Sequence, residues 1–281
     1  MEEILKYEHV QVCYNGRPVV NDVSFSLRKG EILGIVGESG SGKSTLLRAA
    51  MGLLGSGGLV TRGDIWFDGA DLPDLPPKTM RRLRGARLGM IFQDGRASLC
   101  PIRTIESQMY ESLNAHKNRF SPGKHDPSSR QERKISRPRA REMALDLFEK
   151  LNLPDGERVL KSYPFELSGG MNQRVCIAMA VLKNPDVLLA DEPTSALDVR
   201  TQKQIVDTLA RLHRELDMSM IIVSHDMAVI KALADHVLVL KDGNVMEYGP
   251  TSRVFSGPAS SYTKLLLESV PRIRPQSSPG G

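Results

Sequence analysis

Cysteine is scarce in this chain of 281 residues, which has only Cys13, Cys100 and Cys176. Their wide separation matches neither a zinc-binding motif nor a redox motif. No run of eighteen apolar residues occurs, so the sequence predicts no membrane-spanning helix. The first residues, MEEILKYEH, carry charges where a secretory signal would have an apolar centre. These absences predict a cytosolic protein whose thiols are reduced and mostly buried.

The composition leaves room for a sizeable core. Hydrophobic residues make up 40% of the chain and charged residues 25%, which suits one large α/β domain or a core with a small subdomain. The formal net charge of +5 is compatible with a nucleotide ligand, an anionic membrane surface or nucleic acid. The charge therefore discriminates little among functions.

Residues 37–44, GESGSGKS, match the phosphate-loop pattern GxxxxGK[ST]. An apolar run at 32–36 predicts a buried strand before the loop, and residues 44–53 predict a helix after it. Glycines let backbone N–H groups approach phosphate oxygens, and the helix N-terminus favours the same anion. We expect Lys43 to reach the β- and γ-phosphates and Ser44 to place its hydroxyl on Mg²⁺. A chance glycine turn with a surface lysine is the alternative, and the strand context argues against it.

Two carboxylates follow a second apolar run, VLLADE at 187–192. Acids at the carboxyl end of a buried strand lie where open α/β sheets bind ligands. Asp191 is then expected to hold Mg²⁺, directly or through water, and Glu192 to polarise the attacking water. A solvated acidic turn is the alternative interpretation, and the preceding phosphate loop makes it less attractive.

Three further residues are candidates for the site only because the phosphate loop and the two carboxylates are present. His225 follows the apolar run 220–223 and could contact the γ-phosphate; a lone histidine is more often structural. Gln93, after the run in MIFQD, could ligate the metal and report nucleotide state, although such glutamines are usually surface residues. Tyr14 precedes an Asn-Gly turn and could stack on adenine, or could be a half-buried strand tyrosine.

The motifs GESGSGKST, Gln93, LSGGM at 167–171, VLLADEP, SALD at 195–198 and His225 occur in this order. Together they resemble the nucleotide-binding subunit of ABC transporters, from about Tyr7 to Phe255. The resemblance implies an α/β P-loop NTPase (RecA-like) core with a parallel sheet, an N-terminal antiparallel β region and a helical subdomain. It also implies an active ATPase, since every catalytic position matches.

In that family two subunits face each other head to tail, with ATP between the phosphate loop of one and the LSGG segment of the other. Ser168 would cap a helix starting near Gly169, whose free N–H groups point at the γ-phosphate across the interface. Asp198 would lie in the loop that bridges the two sites. A groove near Gln93 would receive a helix of a membrane subunit.

The expected site is therefore as follows. Catalytic residues are Glu192, His225, Lys43 and Gln93; ATP is bound by Tyr14, Gly37, Glu38, Ser39, Gly40, Ser41, Gly42, Lys43, Ser44, Thr45, Ser168, Gly169, Gly170 and Asp198; Mg²⁺ is bound by Ser44, Gln93 and Asp191.

Longer strings, among them PFELSGGMNQRV, ADEPTSALDV and YTKLLLESVPRI, resemble the branch that serves dipeptide, oligopeptide and nickel importers. That branch implies a second, non-identical ATPase subunit, two transmembrane permease subunits and an extracytoplasmic solute-binding protein. The chain would sit peripherally on the cytoplasmic face of the inner membrane, without a nucleic-acid partner.

Two departures from the branch stand out. Gly95 and Cys100 replace its usual Pro and Asn beside the expected coupling surface, either tuning the partner contact or reflecting neutral drift. The chain has no cysteine after Cys176, which excludes the iron–sulfur cluster of many peptide-importing members. This shorter end and the run IAMAVL favour nickel or metal-chelate members over peptide importers.

The predicted organisation is an ATPase domain at 1–255, with a helical subdomain inserted at about 94–168, and an extension at 256–281 that ends in disorder. Short strands are predicted over 4–36, a loop over 55–63 and a strand after it; strands over 187–191, 220–224 and 236–240; and helices over 80–87, 105–116, 139–152, 171–183, 201–215 and 227–234. The basic, proline-rich stretch 116–141 is either a solvated mobile loop, which we favour, or a patch for phospholipid or a regulator.

Two other functions compete with import. A soluble ABC ATPase of DNA repair or translation usually has two cassettes, coiled coils or zinc-finger insertions, and the sequence shows one phosphate loop and no heptads or CxxC. Export ATPases are often fused to membrane helices, which the sequence does not predict. The motifs therefore favour an importer.

Overall fold

Two β-sheets, one antiparallel and one largely parallel, organise the part of the chain that the computed structural model describes, residues 2–115, 134–195 and 197–269. The strands are β1 Glu3–Tyr14, β2 Arg17–Arg28, β3 Ile32–Val36, β4 Gly58–Phe67, β5 Ala70–Asp71, β6 Leu88–Ile91, β7 Val187–Asp191, β8 Ser219–Val223, β9 His236–Lys241 and β10 Asn244–Pro250. The helices are α1 Lys43–Ala50, α2 Pro77–Leu83, α3 Ile105–Asn114, α4 Arg137–Lys150, α5 Gly156–Lys161, α6 Gly169–Val181, α7 Val199–Leu216, α8 Met227–Leu233, α9 Thr251–Ser256 and α10 Ser261–Glu268.

The larger sheet has the strand order β10-β9-β3-β8-β7-β6. Strands β9, β3, β8, β7 and β6 run parallel, and β10 is antiparallel at one edge. Every residue of β3, β7 and β8 is buried, as expected for parallel strands covered on both faces. The predicted parallel sheet is confirmed. The carboxyl ends of β3, β7 and β8 therefore meet at one edge.

The smaller sheet, in the order β2-β1-β4-β5, is the predicted N-terminal antiparallel region. It packs toward α1 through Tyr7, whose hydroxyl donates to the carbonyl of Leu46 at 2.8 Å and whose ring stacks on Phe25 with centroids 4.3 Å apart. This contact fixes the antiparallel sheet against the helix that follows the phosphate loop.

Two hydrophobic cores lie on opposite faces of the parallel sheet. Leu33 and Ile35 of β3 pack with α1 and the antiparallel sheet, whereas Ile32 and Val36 pack with the helical side of the molecule. The split follows from strand geometry, since successive side chains point to opposite faces. Each central strand thus joins the two layers.

Several element boundaries differ from those predicted. The helix expected over 80–87 is α2, Pro77–Leu83, because Arg84 is extended and Gly85 has a φ of +71°. The loop expected over 55–63 ends early, because β4 begins at Gly58, which pairs with Tyr14. Most of the basic stretch, 116–133, and the predicted disordered end lie outside the described residues.

Helices α3, α4 and α5 fall within the helical subdomain predicted at about 94–168, whose limits, like those of the domain at 1–255 and the extension, stay predictions. Over the described ranges, the structure has no helix long and apolar enough to cross a membrane.

Candidate active site

The phosphate loop, residues 37–42, connects β3 to α1 at the carboxyl edge of the parallel sheet. Gly37 has a φ of +152°, and a Cβ there would lie 2.0 Å from the carbonyl oxygen of Leu240. Gly40 and Gly42 also have positive φ, at +82° and +99°. The loop therefore requires glycine at these turns. Gly42 occupies the N-cap of α1 and offers no side-chain cap, which leaves the first N–H groups of this helix for an anion.

Lys43 is folded back over its own loop. Its ammonium group donates to the carbonyl oxygens of Gly37 at 2.9 Å and Glu38 at 2.6 Å. Burial lowers the pKa of Lys43, while the carboxylates of Glu192, Asp191 and Glu38 oppose that shift. A buried cation among backbone dipoles is placed to balance the negative charge of a phosphate.

A buried hydroxyl–carboxylate pair lies beside the loop. Asp191, at the end of β7, is 1% exposed and accepts a hydrogen bond from the hydroxyl of Ser44 at 2.7 Å. Burial raises the pKa of Asp191, and the Ser44 hydrogen bond opposes that shift. Two hard oxygen ligands on facing elements are the kind of partial coordination that Mg²⁺ accepts alongside phosphate oxygens. The residues present therefore fit this metal.

Two other predicted residues, Gln93 and His225, converge on the carboxylate of Glu192. Its carboxylate accepts from the amide of Gln93 at 3.2 Å and lies 3.4 Å from Nδ1 of His225. Its backbone is left-handed, with a φ of +45°, and its N–H donates to the carbonyl of Val223 at 3.0 Å. A left-handed glutamate is strained and survives only where the surroundings hold it. The strand edge thus fixes the direction of this carboxylate.

Tyr14 lies in the other sheet, at the end of β1, where its ring edge approaches Gly58. The neighbouring strand β2 borders the phosphate loop, because a Cβ on Gly42 would come within 3.0 Å of the carbonyl of Val19. The sheet that carries Tyr14 therefore adjoins the loop, and stacking of Tyr14 on adenine stays a prediction.

The remaining predicted residues form a second group at the starts of α6 and α7. The Ser168 hydroxyl accepts from the backbone N–H of Met171 at 3.3 Å and so caps α6, as expected. Asp198 caps α7 by accepting from the N–H of Thr201 at 3.0 Å. Gly170 lies against the same threonine, since a Cβ there would come within 3.2 Å of Thr201 Cγ2. Gly169 faces open space.

A buried glutamine that the motifs did not indicate connects the residues around Glu192 with those at the start of α6. Gln173 of α6 donates to the carbonyl of Pro193, just after Glu192, at 2.7 Å. It also packs against Gly95, since a Cβ there would lie 2.4 Å from Oε1 of Gln173 and would require the amide to shift. The Cys176 thiol donates to the carbonyl of Gly95 at 2.9 Å, and burial raises the pKa of Cys176 to about 11. The only sequence signal was a polar residue on the buried face of a helix.

An apolar groove of about 230 Å³ opens beside Gln93. Its walls include Met51, Leu88, Met90, Phe92, Leu99 and Met179. The sequence predicted a groove at this place, and its apolar lining suits a helix with one apolar face.

Two family models match parts of this chain. The family model described as ABC transporter matches residues 20–195, and one described as oligopeptide/dipeptide transporter, C-terminal region, matches residues 246–280. The chain is 42% identical over 254 residues to the oligopeptide transport ATP-binding protein OppD of Escherichia coli (strain K12), with 90% of this chain and 70% of that protein covered. It is 41% identical over 278 residues to the dipeptide transport ATP-binding protein DppD of Bacillus subtilis (strain 168), with 97% and 78% covered.

Solved structures show the same fold. The ATP-binding cassette MJ0796, in a dimeric post-hydrolysis state bound to ADP and Pi, superposes with a TM-score of 0.73 and 28% identity, with 88% of this chain and 98% of that chain covered. The structure of cbiO1 from Clostridium perfringens, described as part of the ABC transporter complex cbiONQ, gives a TM-score of 0.74 and 26% identity, with 92% of each chain covered.

Proposed function

The chain belongs to the ABC transporter family of ATPases, and from this membership we propose that it is the nucleotide-binding subunit of a peptide importer. In this role it couples ATP binding and hydrolysis to uptake. The observation that carries the proposal is the convergence of Gln93 and His225 on Glu192 at the edge that also holds Lys43 and the Ser44–Asp191 pair.

Peptides are the proposed cargo. Both relatives named above are peptide transport proteins, and residues 246–280 match the C-terminal region of peptide transporters. The sequence alone favoured nickel or a metal chelate, but neither relative's name includes a metal. The match in the C-terminal region now outweighs that preference.

The nucleotide would be held by the loop residues and by Tyr14 on the adenine. Mg²⁺ would be held by Ser44, Asp191 and Gln93, and when bound it supplies charge neutralisation on the phosphate oxygens. Of the remaining predicted ATP-binding residues, Ser39 in the loop and Thr45 in the first turn of α1 would contribute chiefly their backbone N–H groups. The N–H groups of Glu38 and Ser41 instead donate to the Tyr262 hydroxyl and to the Glu38 carbonyl.

Catalysis in this arrangement depends on positioning. Glu192 would accept a hydrogen bond from the attacking water, with the direction of its carboxylate set by the Gln93 amide and its fixed backbone. His225, 66% exposed at the side chain, lies on the open side of the same carboxylate, where it can contact the γ-phosphate. Lys43 balances the charge that develops on the transferred phosphoryl group.

The second group of residues would serve a neighbouring subunit. The capped N-terminus of α6, with Ser168, Gly169 and Gly170, would face the ATP held by a sister ATPase, and Asp198 would lie between the two sites. The dimeric state of MJ0796 supports the pairing of two such subunits.

Membrane partners complete the proposal. A helix of one of two permease subunits would enter the apolar groove beside Gln93, on the cytoplasmic face of the inner membrane, where this chain would sit peripherally. An extracytoplasmic solute-binding protein would deliver the cargo. That cbiO1 is part of an ABC transporter complex supports the association of this chain with other transporter subunits.

The test replaces the native chain in cells by the variant Glu192→Gln. The matched control is Glu142→Gln, which changes an exposed glutamate of α4. We expect Glu192→Gln to bind ATP, to hydrolyse it orders of magnitude more slowly, and to abolish uptake of a labelled dipeptide but not of labelled nickel. Loss of nickel uptake alone would contradict the cargo, and persistence of both signals would contradict import. Near-normal hydrolysis would contradict the role of Glu192.

A further inference from the structure

Helix α10 lies outside the residues that match the ABC transporter model, yet one of its side chains reaches the phosphate loop. Tyr262, in the first turn of α10, is 6% exposed. Its hydroxyl accepts a hydrogen bond from the backbone N–H of Glu38 at 3.3 Å. Burial raises the pKa of Tyr262, so the hydroxyl keeps its proton at neutral pH.

Glu38 links this tyrosine to the loop lysine. The Glu38 N–H is bonded to Tyr262, while the Glu38 carbonyl accepts from the ammonium group of Lys43 at 2.6 Å. If the hydrogen bond from Glu38 to Tyr262 is lost, the Glu38 peptide can reorient, and the ammonium group of Lys43 that bonds to its carbonyl moves with it.

Helix α10 is itself held firmly. The carboxylate of Glu247, on β10, accepts from the N–H groups of Ala259 at 2.9 Å and Ser260 at 3.2 Å, directly before the helix. The ammonium group of Lys241 lies 4.8 Å from the centroid of the Tyr262 ring, a cation–π contact. The position of Tyr262 is therefore set by the β9–β10 hairpin.

The same hairpin supports the loop directly. Gly243 lies in the turn between β9 and β10, and its N–H donates to the carbonyl of Ser41 at 3.1 Å. The hairpin and α10 thus hold the loop at both of its ends, at Glu38 and at Ser41.

The far end of α10 approaches the histidine side of the site. A cavity of about 270 Å³ is bounded by Leu266 and Ser269 on one side and by Gly37, His225 and Asp226 on the other. The helix therefore lies along both segments that would surround the terminal phosphate.

We propose that Tyr262 is a positioning residue of the ATP site, which holds the phosphate loop in its binding conformation through the N–H of Glu38. The C-terminal region shared with peptide transporters is then part of the machinery that sets nucleotide affinity. This inference rests on the proposed binding of ATP at the loop. A tyrosine that only anchored its helix would affect folding stability and leave affinity unchanged.

The variant Tyr262→Phe tests this, because it keeps the ring over which Lys241 lies and removes only the acceptor for Glu38. Loss of one such hydrogen bond should weaken binding of mant-ATP with Mg²⁺ to the full chain about three- to tenfold. In the assembled transporter the KM for ATP should rise by the same factor, with kcat within about twofold of the wild type.

Tyr248→Phe is the matched control, since it removes a tyrosine hydroxyl that donates to the carbonyl of Ser26 at 3.0 Å, away from the loop. It should leave nucleotide affinity unchanged. A second variant, Glu247→Gln, weakens the anchor of α10 without contact to the loop and should reduce affinity in the same direction.

The outcomes separate the two levels of the proposal. If wild-type protein binds mant-ATP no better than Lys43→Ala, the nucleotide site itself is wrong. If Lys43→Ala loses binding but Tyr262→Phe and Glu247→Gln bind like the wild type, only the positioning role is overturned. Equal weakening by Tyr262→Phe and Tyr248→Phe, or a fall in unfolding temperature alone, would also overturn it.

Discussion

Gly37, in the phosphate loop, occupies a position where a side chain is excluded by both its backbone conformation and a neighbouring strand. Its φ of +152° and the Leu240 carbonyl 2.0 Å from a would-be Cβ combine strain with a backbone clash. Gly37→Ala should therefore cost about 3 kcal/mol of unfolding free energy or more, measured by denaturant titration, and should abolish ATP binding.

Gly69→Ala is the control for this prediction. Gly69 has a φ of +80° but open space around a Cβ, so its replacement should cost only the left-handed backbone strain, about 1–2 kcal/mol. Equal losses for the two variants would show that the clash at Gly37 is relieved by movement of the hairpin.

The grouping of the predicted catalytic residues at one sheet edge could be predicted because each stands beside a recognisable backbone signal. Lys43 ends a glycine loop, and Glu192 and His225 follow buried strands whose carboxyl ends share an edge. Gln173 and Tyr262 could not be predicted in this way. Each meets a backbone atom of a distant segment, at Pro193 and Glu38, and no local spacing encodes such a contact.

Among the elements, α10 depends on a single carboxylate for its start. Burial alone would raise the pKa of Glu247, but hydrogen bonds from the N–H groups of Ala259 and Ser260 help to outweigh it and the pKa is lowered overall. Because the folded-state pKa is depressed, the ionised carboxylate stabilises the fold above pH 4.5, and this contribution is lost as the pH falls through the folded-state pKa.

Glu247→Gln should thus lower the unfolding free energy by about 1 kcal/mol at pH 7, and the gap to the wild type should close as the pH falls below about 4.5. Unfolding titrations at several pH values measure both. Glu142→Gln, whose carboxylate is 68% exposed, should show no such gap. A gap that stays constant down to pH 3 would rule out the Glu247 contribution.

Element types followed from the sequence better than element ends did. The helix predicted over 105–116 is α3, which begins at the predicted residue and ends two residues earlier, and the helix predicted over 139–152 is α4, which lies two residues toward the N-terminus. Hydrophobic spacing marks the middle of a helix and not its caps. Strand β4 started inside a glycine-rich stretch because pairing with β1 outweighed the turn propensity of its sequence.

At the scale of the whole molecule, the fold class was predictable from the alternation of strands and helices, and the solved cassettes share it. The division into two cores was not predicted. It arises from the stacking of the antiparallel sheet on one face of the parallel sheet, a long-range arrangement with no period in the sequence.

The proposed head-to-tail assembly can be tested through Gly169. A side chain there meets open space within this chain, and an aspartate at a helix N-terminus is favourable. Gly169→Asp should therefore keep the unfolding temperature and the affinity of the isolated chain for ATP. In the assembly it would place a negative charge against the partner's triphosphate.

We expect Gly169→Asp to abolish ATP-dependent association with the sister subunit, measured by sedimentation, and to reduce hydrolysis at least a hundredfold, as loss of transition-state charge stabilisation does. Gly257→Asp, also in open space, serves as the control. Normal association of Gly169→Asp would show that α6 faces something other than the neighbouring nucleotide.

The uneven burial of the three thiols has a practical consequence. Cys13 and Cys176 are buried, and Cys100 is partly exposed, next to Leu99 in the wall of the apolar groove. A maleimide fluorophore therefore has one natural attachment point, one residue along the chain from the groove that we propose a permease helix enters. The native chain can thus carry an optical reporter of transporter assembly without a single engineered cysteine.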